Sequence, residues 1–318
     1  MRVLISLFRI FGVVAGLLFV VWVYIAQPSF RSNGASEVDV DPEKLKAHVV
    51  ALSEEFHPRS FRDPENLDAA AEYIAEHFRQ GGAQTSFQPV PTPRREYRNV
   101  IGVINPGAGR KLVIGAHYDA YHGTPGADDN ATGVAGLIEL AHLFSRSELN
   151  REVELVAYTL EEPPFFGSGL MGSHVHAENS TDVEAAIILE MIGYFDDSWG
   201  SQDYPTLILH LMYPSRGNFV VVASDLDHRS LTKDFKVGMK GATELPVYSI
   251  NAPSSLPGID FSDHRNYWKF DIPAVMITDT AFYRNKQYHQ IRDNAKRLDY
   301  DRMAMVVIGV YEAVMQLD

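Results

Sequence analysis

The chain has 318 residues, of which 46% are hydrophobic and 22% are charged, so it can bury one large core or two small ones. The formal net charge is −13, and the first 36 residues hold three arginines and no acidic residue. A body this acidic argues against nucleic acid as a partner. The absence of cysteine excludes disulfides, thiolate zinc sites, iron–sulfur clusters and a cysteine nucleophile.

The N-terminal segment is apolar from residue 3 to residue 26 except for Ser6 and Arg9. This length and composition predict an uncleaved, single-pass membrane anchor over residues 1–27. Arginines precede the segment and acidic residues follow it, so the positive-inside rule places the N-terminus in the cytoplasm and the rest of the chain outside it, in the periplasm if the source is bacterial. A cleaved signal peptide and a buried helix are the alternatives.

The rest of the chain predicts a polar linker over residues 28–39 and one folded domain over residues 40–318. Helical signals predict helices over 42–56, 64–80, 134–144 and 300–316, and apolar runs predict strands over 98–104, 111–116, 153–160, 185–189 and 274–278. Continuous apolar strands that alternate with helices are typical of a buried, largely parallel sheet. We therefore expect an α/β fold, a three-layer α/β/α sandwich with a mixed, largely parallel central sheet, in which residues 192–260 form an insertion or lid.

Acidic and imidazole side chains follow three of the predicted strands. His117 and Asp119 follow the strand over 111–116, the pair Glu161–Glu162 follows the strand over 153–160, and Glu190 follows the strand over 185–189. Because active sites form at the carboxyl ends of strands in open α/β sheets, we expect these groups to meet at one edge. Imidazole and carboxylate ligands without cysteine suit zinc, and a divalent cation would relieve the repulsion within a carboxylate cluster.

Five ordered sequence blocks sharpen this interpretation: GAHYD (115–119), PGADDNATG (125–133), TLEE (159–162), LEMIGY (189–194) and YHQIRDNAKRLDY (288–300). They resemble the zinc aminopeptidase family that includes secreted bacterial leucyl aminopeptidases and, more distantly, glutamate carboxypeptidase II, the transferrin receptor ectodomain and the glutaminyl cyclases. The resemblance covers roughly residues 40–318. It implies a zinc exopeptidase fold and a hydrolase that acts on peptides, expected here as an aminopeptidase.

The resemblance also implies roles for individual residues. Two zinc ions would share Asp129 as a bridging ligand. One site would be completed by His117 and Glu190, and the other by Glu162 and His289. The remaining roles are Glu161 as the general base, Asp119 as the carboxylate that holds the far nitrogen of His117, and Tyr288 as an oxyanion donor. The best-known secreted members have Asp where this chain has Glu190.

Three alternative functions remain. A glutaminyl cyclase shares the fold, and a carboxypeptidase would need a basic group for the substrate carboxylate, for which Arg265, Arg284 and Arg292 are the candidates. A non-catalytic, receptor-like ectodomain is the alternative from another class, although such relatives tend to lose ligands that this chain retains. The sequence gives no prediction of oligomeric state.

Several residues near the blocks match no ligand position and are expected to be structural or supporting: His122, Asp263 and His264. For the substrate pocket we expect contributions from residues 192–260 and from the aromatic residues Tyr267, Trp268 and Phe282, which are equally compatible with the core.

Overall fold

The structure is a computed structural model that describes residues 2–317, without the side chains of residues 2–8, 10 and 14. Met1 and Asp318, the outer ends of the predicted anchor and of the predicted folded domain, lie outside the described residues. The helices are α1 (Arg2–Ala26), α2 (Pro42–Val50), α3 (Pro64–Gln80), α4 (Gly133–Phe144), α5 (Gly172–Asn179), α6 (Leu207–Met212), α7 (Arg229–Met239), α8 (His264–Trp268) and α9 (Tyr300–Gln316). The strands are β1 (Gln84–Pro91), β2 (Glu96–Ile104), β3 (Lys111–His117), β4 (Glu152–Tyr158), β5 (Val183–Glu190), β6 (Val220–Ser224), β7 (Val247–Asn251) and β8 (Ala274–Thr278).

The strands form one eight-stranded mixed sheet in the order β1-β2-β4-β3-β5-β8-β6-β7. Its central strands β4, β3, β5 and β8 run parallel to one another. Antiparallel pairs join β1 to β2, β2 to β4 and β6 to β8. The predicted largely parallel α/β sheet is therefore confirmed, and the carboxyl ends of the four central strands meet at one edge.

Both faces of the sheet are covered, which makes three layers. On one face, α2, α3, α4, α7 and α9 bury alternate residues of the central strands, such as Leu112 and Ile114 of β3. On the other face, Ala177 of α5 and Tyr267 of α8 pack against residues such as Val113. Because both faces of β3 are buried, a continuous apolar run rather than an alternating one encodes this strand.

Local signals set the ends of several helices. Asp41 caps α2 by accepting a hydrogen bond from the backbone N–H of Glu43 at 2.9 Å. The helix predicted over 42–56 is α2 followed by a π-helical turn over Ala51–Glu55. Helix α3 begins at Pro64 and is followed by Gly81, where a side chain would come within 2.7 Å of Ala141. This close approach, rather than a turn conformation, explains the glycine.

Residues 192–260, predicted as an insertion or lid, contain α6, β6, α7 and β7. Both strands pair within the central sheet, so part of this segment extends the sheet itself. The predicted linker over 28–39 has no regular secondary structure, but it is attached to the folded body. The backbone N–H groups of Asn33 and Ser36 donate to the carbonyls of Lys240 and Ala242 at 2.6 and 2.9 Å.

Helix α1 covers the segment that the sequence predicts as a membrane anchor. Among the residues that the structure describes, no helix has the length and apolarity needed to cross a membrane. The anchor predicted over residues 3–26, and the predicted membrane partnership through it, are therefore unsupported. The C-terminal end of α1 packs on the folded body, where Ala26 is buried in one apolar cluster with Leu209 and Tyr213.

Candidate active site and metal centre

Chemically active side chains meet at the carboxyl edge of the sheet, as the sequence predicts. His117 is the last residue of β3 and Glu190 the last residue of β5, while Glu161 and Glu162 follow β4 closely. All four side chains are buried. The parallel pairing of β3 with β4 and β5 is what brings these ends together.

Asp129 joins two groups of imidazole and carboxylate ligand atoms. His117 Nε2 lies 3.3 Å from Asp129 Oδ1 and 3.4 Å from Glu190 Oε2. On the other side, His289 Nε2 lies 3.3 Å from Asp129 Oδ2 and 3.1 Å from Glu162 Oε2. Each group has the composition and spacing of a candidate metal site, and Asp129 belongs to both.

These distances fit metal ligation better than hydrogen bonding. Charge-assisted N–H···O bonds are about 2.7–2.9 Å long, shorter than the separations of 3.1–3.4 Å found here. Ligand atoms about 2.0 Å from a tetrahedral zinc ion would be about 3.3 Å apart. In addition, Asp129 Oδ2 and Glu162 Oε1 are buried without a hydrogen-bond partner among the described residues. A divalent cation would satisfy both carboxylates.

The pKa shifts of the acidic and imidazole groups also indicate a cation site. Burial raises the pKa of the Glu161 carboxyl well above its usual range, and Glu162 adds to this rise while His117 opposes it. Burial and the charge of Asp129 raise the pKa of Glu162 to about 8. Burial alone would lower the pKa of His289, but Asp129 and Glu162 outweigh it and raise it to about 10. The cluster therefore crowds negative charge into a buried space, as a cation site does.

The loop that carries Asp129 is held by backbone contacts. It forms a π-helical turn over Ala127–Thr132 before α4. The backbone N–H groups of Asp128 and Asp129 donate to the carboxylate of Asp293 at 3.2 Å. A side chain at Gly133 would come within 2.7 Å of the carbonyl oxygen of Leu189, so glycine permits the loop to approach β5. Asp293 was not predicted from the sequence, although it lies in the block over 288–300.

Asp119 organises the turn after β4. Its two carboxylate oxygens accept the backbone N–H groups of Glu161 and Glu162, each at 3.1 Å. The family resemblance implies that this carboxylate holds the far nitrogen of His117. In the structure, His117 Nδ1 lies 3.0 Å from the backbone oxygen of Asp119 and 3.6 Å from its carboxylate. Asp119 therefore holds both the histidine ring and the acidic pair.

Unusual backbone conformations flank the site. Leu160, Met191 and His289 have φ values of 58°, 47° and 56°, in the left-handed region that side-chain-bearing residues seldom adopt. Leu160 directly precedes Glu161, and Met191 directly follows Glu190. Such residues cost about 1–3 kcal/mol each and cluster at functional sites.

Tyr288 lies beside the candidate metal ligands. Its ring stacks on that of His289, with centroids 3.8 Å apart, and Tyr121 stacks on His289 at 4.1 Å. Burial raises the pKa of the Tyr288 hydroxyl above its usual range, so this group stays protonated. Tyr288 lines a cleft together with Glu161, Asp129 and Glu190, in a position to donate a hydrogen bond.

The cleft contains about 890 Å³ of empty space, part of it open to solvent. Its walls away from the acidic groups are mainly apolar and come largely from residues 202–213, 221–223 and 250–261, within the segment expected to contribute. Phe282 also lines the cleft. Tyr267 belongs instead to the core, where its hydroxyl lies 2.6 Å from that of Tyr158, and Trp268 packs against the same core cluster.

The remaining predicted residues lie outside the ligand groups. His122 is exposed near Ser60, and His264 Nε2 bonds to the carbonyl of Ile259 at 2.6 Å. Asp263 is fully buried, and burial raises its pKa to about 7. The adjacent residue, Ser262, was not predicted, yet its hydroxyl donates to Glu190 Oε2 at 2.7 Å.

The three candidate arginines do not line the cleft. Arg265 pairs with Asp260 at 3.3 Å. Arg284 is buried and donates to Gln202 Oε1 at 2.9 Å. Arg292 is exposed. Among the described residues that line the cleft, none is arginine or lysine.

Comparisons with known proteins agree with this geometry. A family model described as peptidase family M28 matches residues 99–314. The uncharacterised protein YfbL of Escherichia coli is 46% identical over 293 residues, which covers 89% of this chain and 91% of YfbL. Leucine aminopeptidase 1 of Uncinocarpus reesii is 22% identical over 285 residues, covering 83% of this chain and 67% of that protein. The structure of BSAP, a zinc aminopeptidase from Bacillus subtilis, matches with a TM-score of 0.69 at 13% identity, covering 88% of this chain and 96% of BSAP.

Proposed function

The chain belongs to peptidase family M28, and from that premise we propose that it is a zinc-dependent aminopeptidase in which Glu161 is the general base. The observation that carries this proposal is the pair of ligand groups joined by Asp129, with Glu161 beside them. Family membership supports a hydrolase of the aminopeptidase kind, and the relatives named above include aminopeptidases.

We assign His117, Asp129 and Glu190 to one zinc ion and Asp129, Glu162 and His289 to a second, with Asp129 shared. The ligand spacing and the unpartnered carboxylate oxygens support this assignment. Zinc, when bound, supplies a Lewis acid that lowers the pKa of water and polarises a carbonyl group.

Glu161 fits the role of the base because it is close to the ligands without belonging to either group. Its Oε2 lies 3.9 Å from His117 Nε2, and its side chain faces the cleft. In this proposal Glu161 takes a proton from the attacking water and passes it to the leaving amine. The hydroxyl of Tyr288 donates a hydrogen bond to the oxygen that develops negative charge.

The charge of the cleft favours an aminopeptidase over a carboxypeptidase. Glu161, which belongs to neither ligand group, lines it, and its carboxylate attracts the free ammonium group of a peptide N-terminus. The described lining residues include no arginine or lysine to receive a C-terminal carboxylate. The substrates proposed are therefore peptides with a free N-terminus.

The test combines elemental analysis of the purified full chain with assays on aminoacyl-p-nitroanilides. We expect bound zinc and chelator-sensitive release of the nitroaniline. The Glu161→Gln variant should keep its zinc and lose turnover by about 100- to 10,000-fold, the usual contribution of a general base. The exposed Glu178→Gln variant is the matched control, and Asp129→Ala should lose zinc as well as activity.

The other possible results would point to a different base or a different function. Near-normal turnover of the Glu161→Gln variant would refute the assignment of the base. Bound zinc with cyclisation of N-terminal glutamine and no release of other residues would indicate a glutaminyl cyclase. A correctly folded wild-type chain that binds no zinc would support the receptor-like alternative.

A further inference from the structure

The C-terminal end of α1 and the substrate cleft share the same wall. Ala26 is buried in an apolar cluster with Leu209 and Tyr213, and Trp22, Ile250 and Leu256 pack against this cluster. Four of these residues, Leu209, Tyr213, Ile250 and Leu256, also line the cleft that contains Glu161. The apolar cluster that buries Ala26 therefore also forms part of the cleft wall.

Hydrogen bonds fix this contact. The carbonyl oxygen of Ala26 accepts a bond from the hydroxyl of Ser249 at 2.9 Å and another from Lys236 Nζ at 3.2 Å. The carbonyl oxygen of Ser249 in turn accepts the hydroxyl of Tyr213 at 2.7 Å. Ser249 thus links the last residue of α1 directly to a side chain of the cleft wall.

The residues on either side of Ala26 also form hydrogen bonds with the folded body. The guanidinium of Arg229 donates to the carbonyl of Tyr24 and lies 3.8 Å from the centre of its ring. The side chain of Gln27 donates to the carbonyl of Arg229 at 2.9 Å. The end of α1 is therefore held on the body by polar contacts at three positions, Tyr24, Ala26 and Gln27.

We propose that the end of α1, from Trp22 to Ala26, together with the following residue Gln27, is a specificity-determining part of the substrate site. By holding Leu209 and Tyr213 in place, it sets the depth of the apolar cleft and so favours peptides with a large apolar N-terminal side chain. This inference rests on the proposed aminopeptidase function. Residues of α1 are positioning residues here, because they act through the cleft wall and do not contact the substrate.

The test uses the full chain with a charge placed in the contact, Ala26→Glu. The matched control is Ala15→Glu, the same substitution at an exposed position of the same helix. The measurements are kcat and KM for leucyl- and alanyl-p-nitroanilide, and zinc content. Because apolar pockets discriminate side chains of different size by about 10- to 200-fold, we expect Ala26→Glu to lower the leucyl-to-alanyl ratio of kcat/KM by about ten-fold, mainly through KM.

The outcomes are distinguishable. A lowered ratio with normal zinc and normal alanyl turnover supports the inference, and an unchanged ratio overturns it. If Ala26→Glu fails to fold, Trp22→Ala removes the aromatic contact without a charge and decides the question by the same ratio. Loss of zinc and of both activities in both variants would overturn the inference, because α1 would then serve folding alone.

Failure of the proposed function would be visible separately, as absence of turnover in the wild-type chain. In that case calorimetric titration with L-leucine and L-alanine provides the readout. Preferential binding of leucine by the wild type that is lost in Ala26→Glu, and kept in Ala15→Glu, would still support the role of α1. Equal binding by the wild type and Ala26→Glu would refute it.

Discussion

The substitution Asp119→Asn tests how the acidic pair after β4 is held. The two carboxylate oxygens of Asp119 accept the backbone N–H groups of Glu161 and Glu162, both at 3.1 Å, and all three residues are buried. Asparagine has nearly the same shape but only one side-chain oxygen. In either orientation its amide group must therefore face one of the two N–H donors.

The expected loss of stability follows from these two hydrogen bonds. A buried donor left unpaired costs about 1–3 kcal/mol. The bond that survives loses its charge-assisted character, and such bonds are about twice as strong as neutral ones. We therefore expect the free energy of unfolding to fall by about 2–4 kcal/mol. Because the displaced turn carries Glu161, and a misplacement of about 1 Å costs about 100-fold in rate, kcat should fall by a similar factor.

Urea unfolding of the metal-free protein, followed by circular dichroism, measures the stability change without a contribution from metal binding. The exposed Asp39→Asn substitution is the matched control and should change the free energy of unfolding by less than about 0.5 kcal/mol. If Asp119→Asn were as stable as the wild type and equally active, these hydrogen bonds would not be what positions the acidic pair.

Two further predictions concern the ligands. Ser262→Ala removes the hydroxyl that donates to Glu190, so the affinity for zinc should fall by about 10- to 100-fold. Ser262→Thr keeps a hydroxyl and should retain most of the affinity. Equal zinc dissociation constants for Ser262→Ala and the wild type would contradict this role. In the metal-free protein, Glu162 and His289 have pKa values raised to about 8 and about 10, so the folded state binds more protons than the unfolded state above pH 4.5. The free energy of unfolding should therefore fall as pH rises from about 5 to 9, by up to about 1.4 kcal/mol per pH unit for each proton that the folded state binds in excess of the unfolded state. Urea titrations at several pH values that show a constant or rising free energy of unfolding would refute this prediction.

The central strands and the meeting of His117, Glu161, Glu162 and Glu190 at one edge were predictable because their signals are local, whereas Asp129 and His289 were assigned only from the family resemblance. Strands such as β3 and β8 are buried on both faces and appear as uninterrupted apolar runs. The candidate ligands His117 and Glu190 directly end their strands, so the order of strands in a parallel sheet is enough to bring them to one edge.

The segment over 192–260 was harder to interpret for a physical reason. Strands β6 and β7 have only five residues each, and the short helix α6 precedes them. Strand β8 is equally short, but the segment over 192–260 is also rich in Pro, Gly and Ser, so that a run of this length within it is compatible with a strand, a helical turn or a loop. The place of β6 and β7 in the sheet depends on pairing with β8, which follows β6 by about 50 residues. That pairing has no signature in the local sequence.

The supporting contacts of the site are non-local in the same way. Ser262 reaches Glu190 across 72 positions, and Asp293 reaches Asp129 across 164. The end of α1 is the extreme case, since Ser249 and Ala26 are 223 positions apart. Side chains earlier in α1, such as Phe11, Leu17 and Phe19, are exposed, and only the last turn of the helix packs on the folded body. The carbonyl oxygen of Ala26, at the end of α1, accepts hydrogen bonds from Ser249 and Lys236. Ser249 in turn accepts a hydrogen bond from Tyr213, which lines the cleft, so the same contacts that position the last turn of α1 also reach the cleft wall.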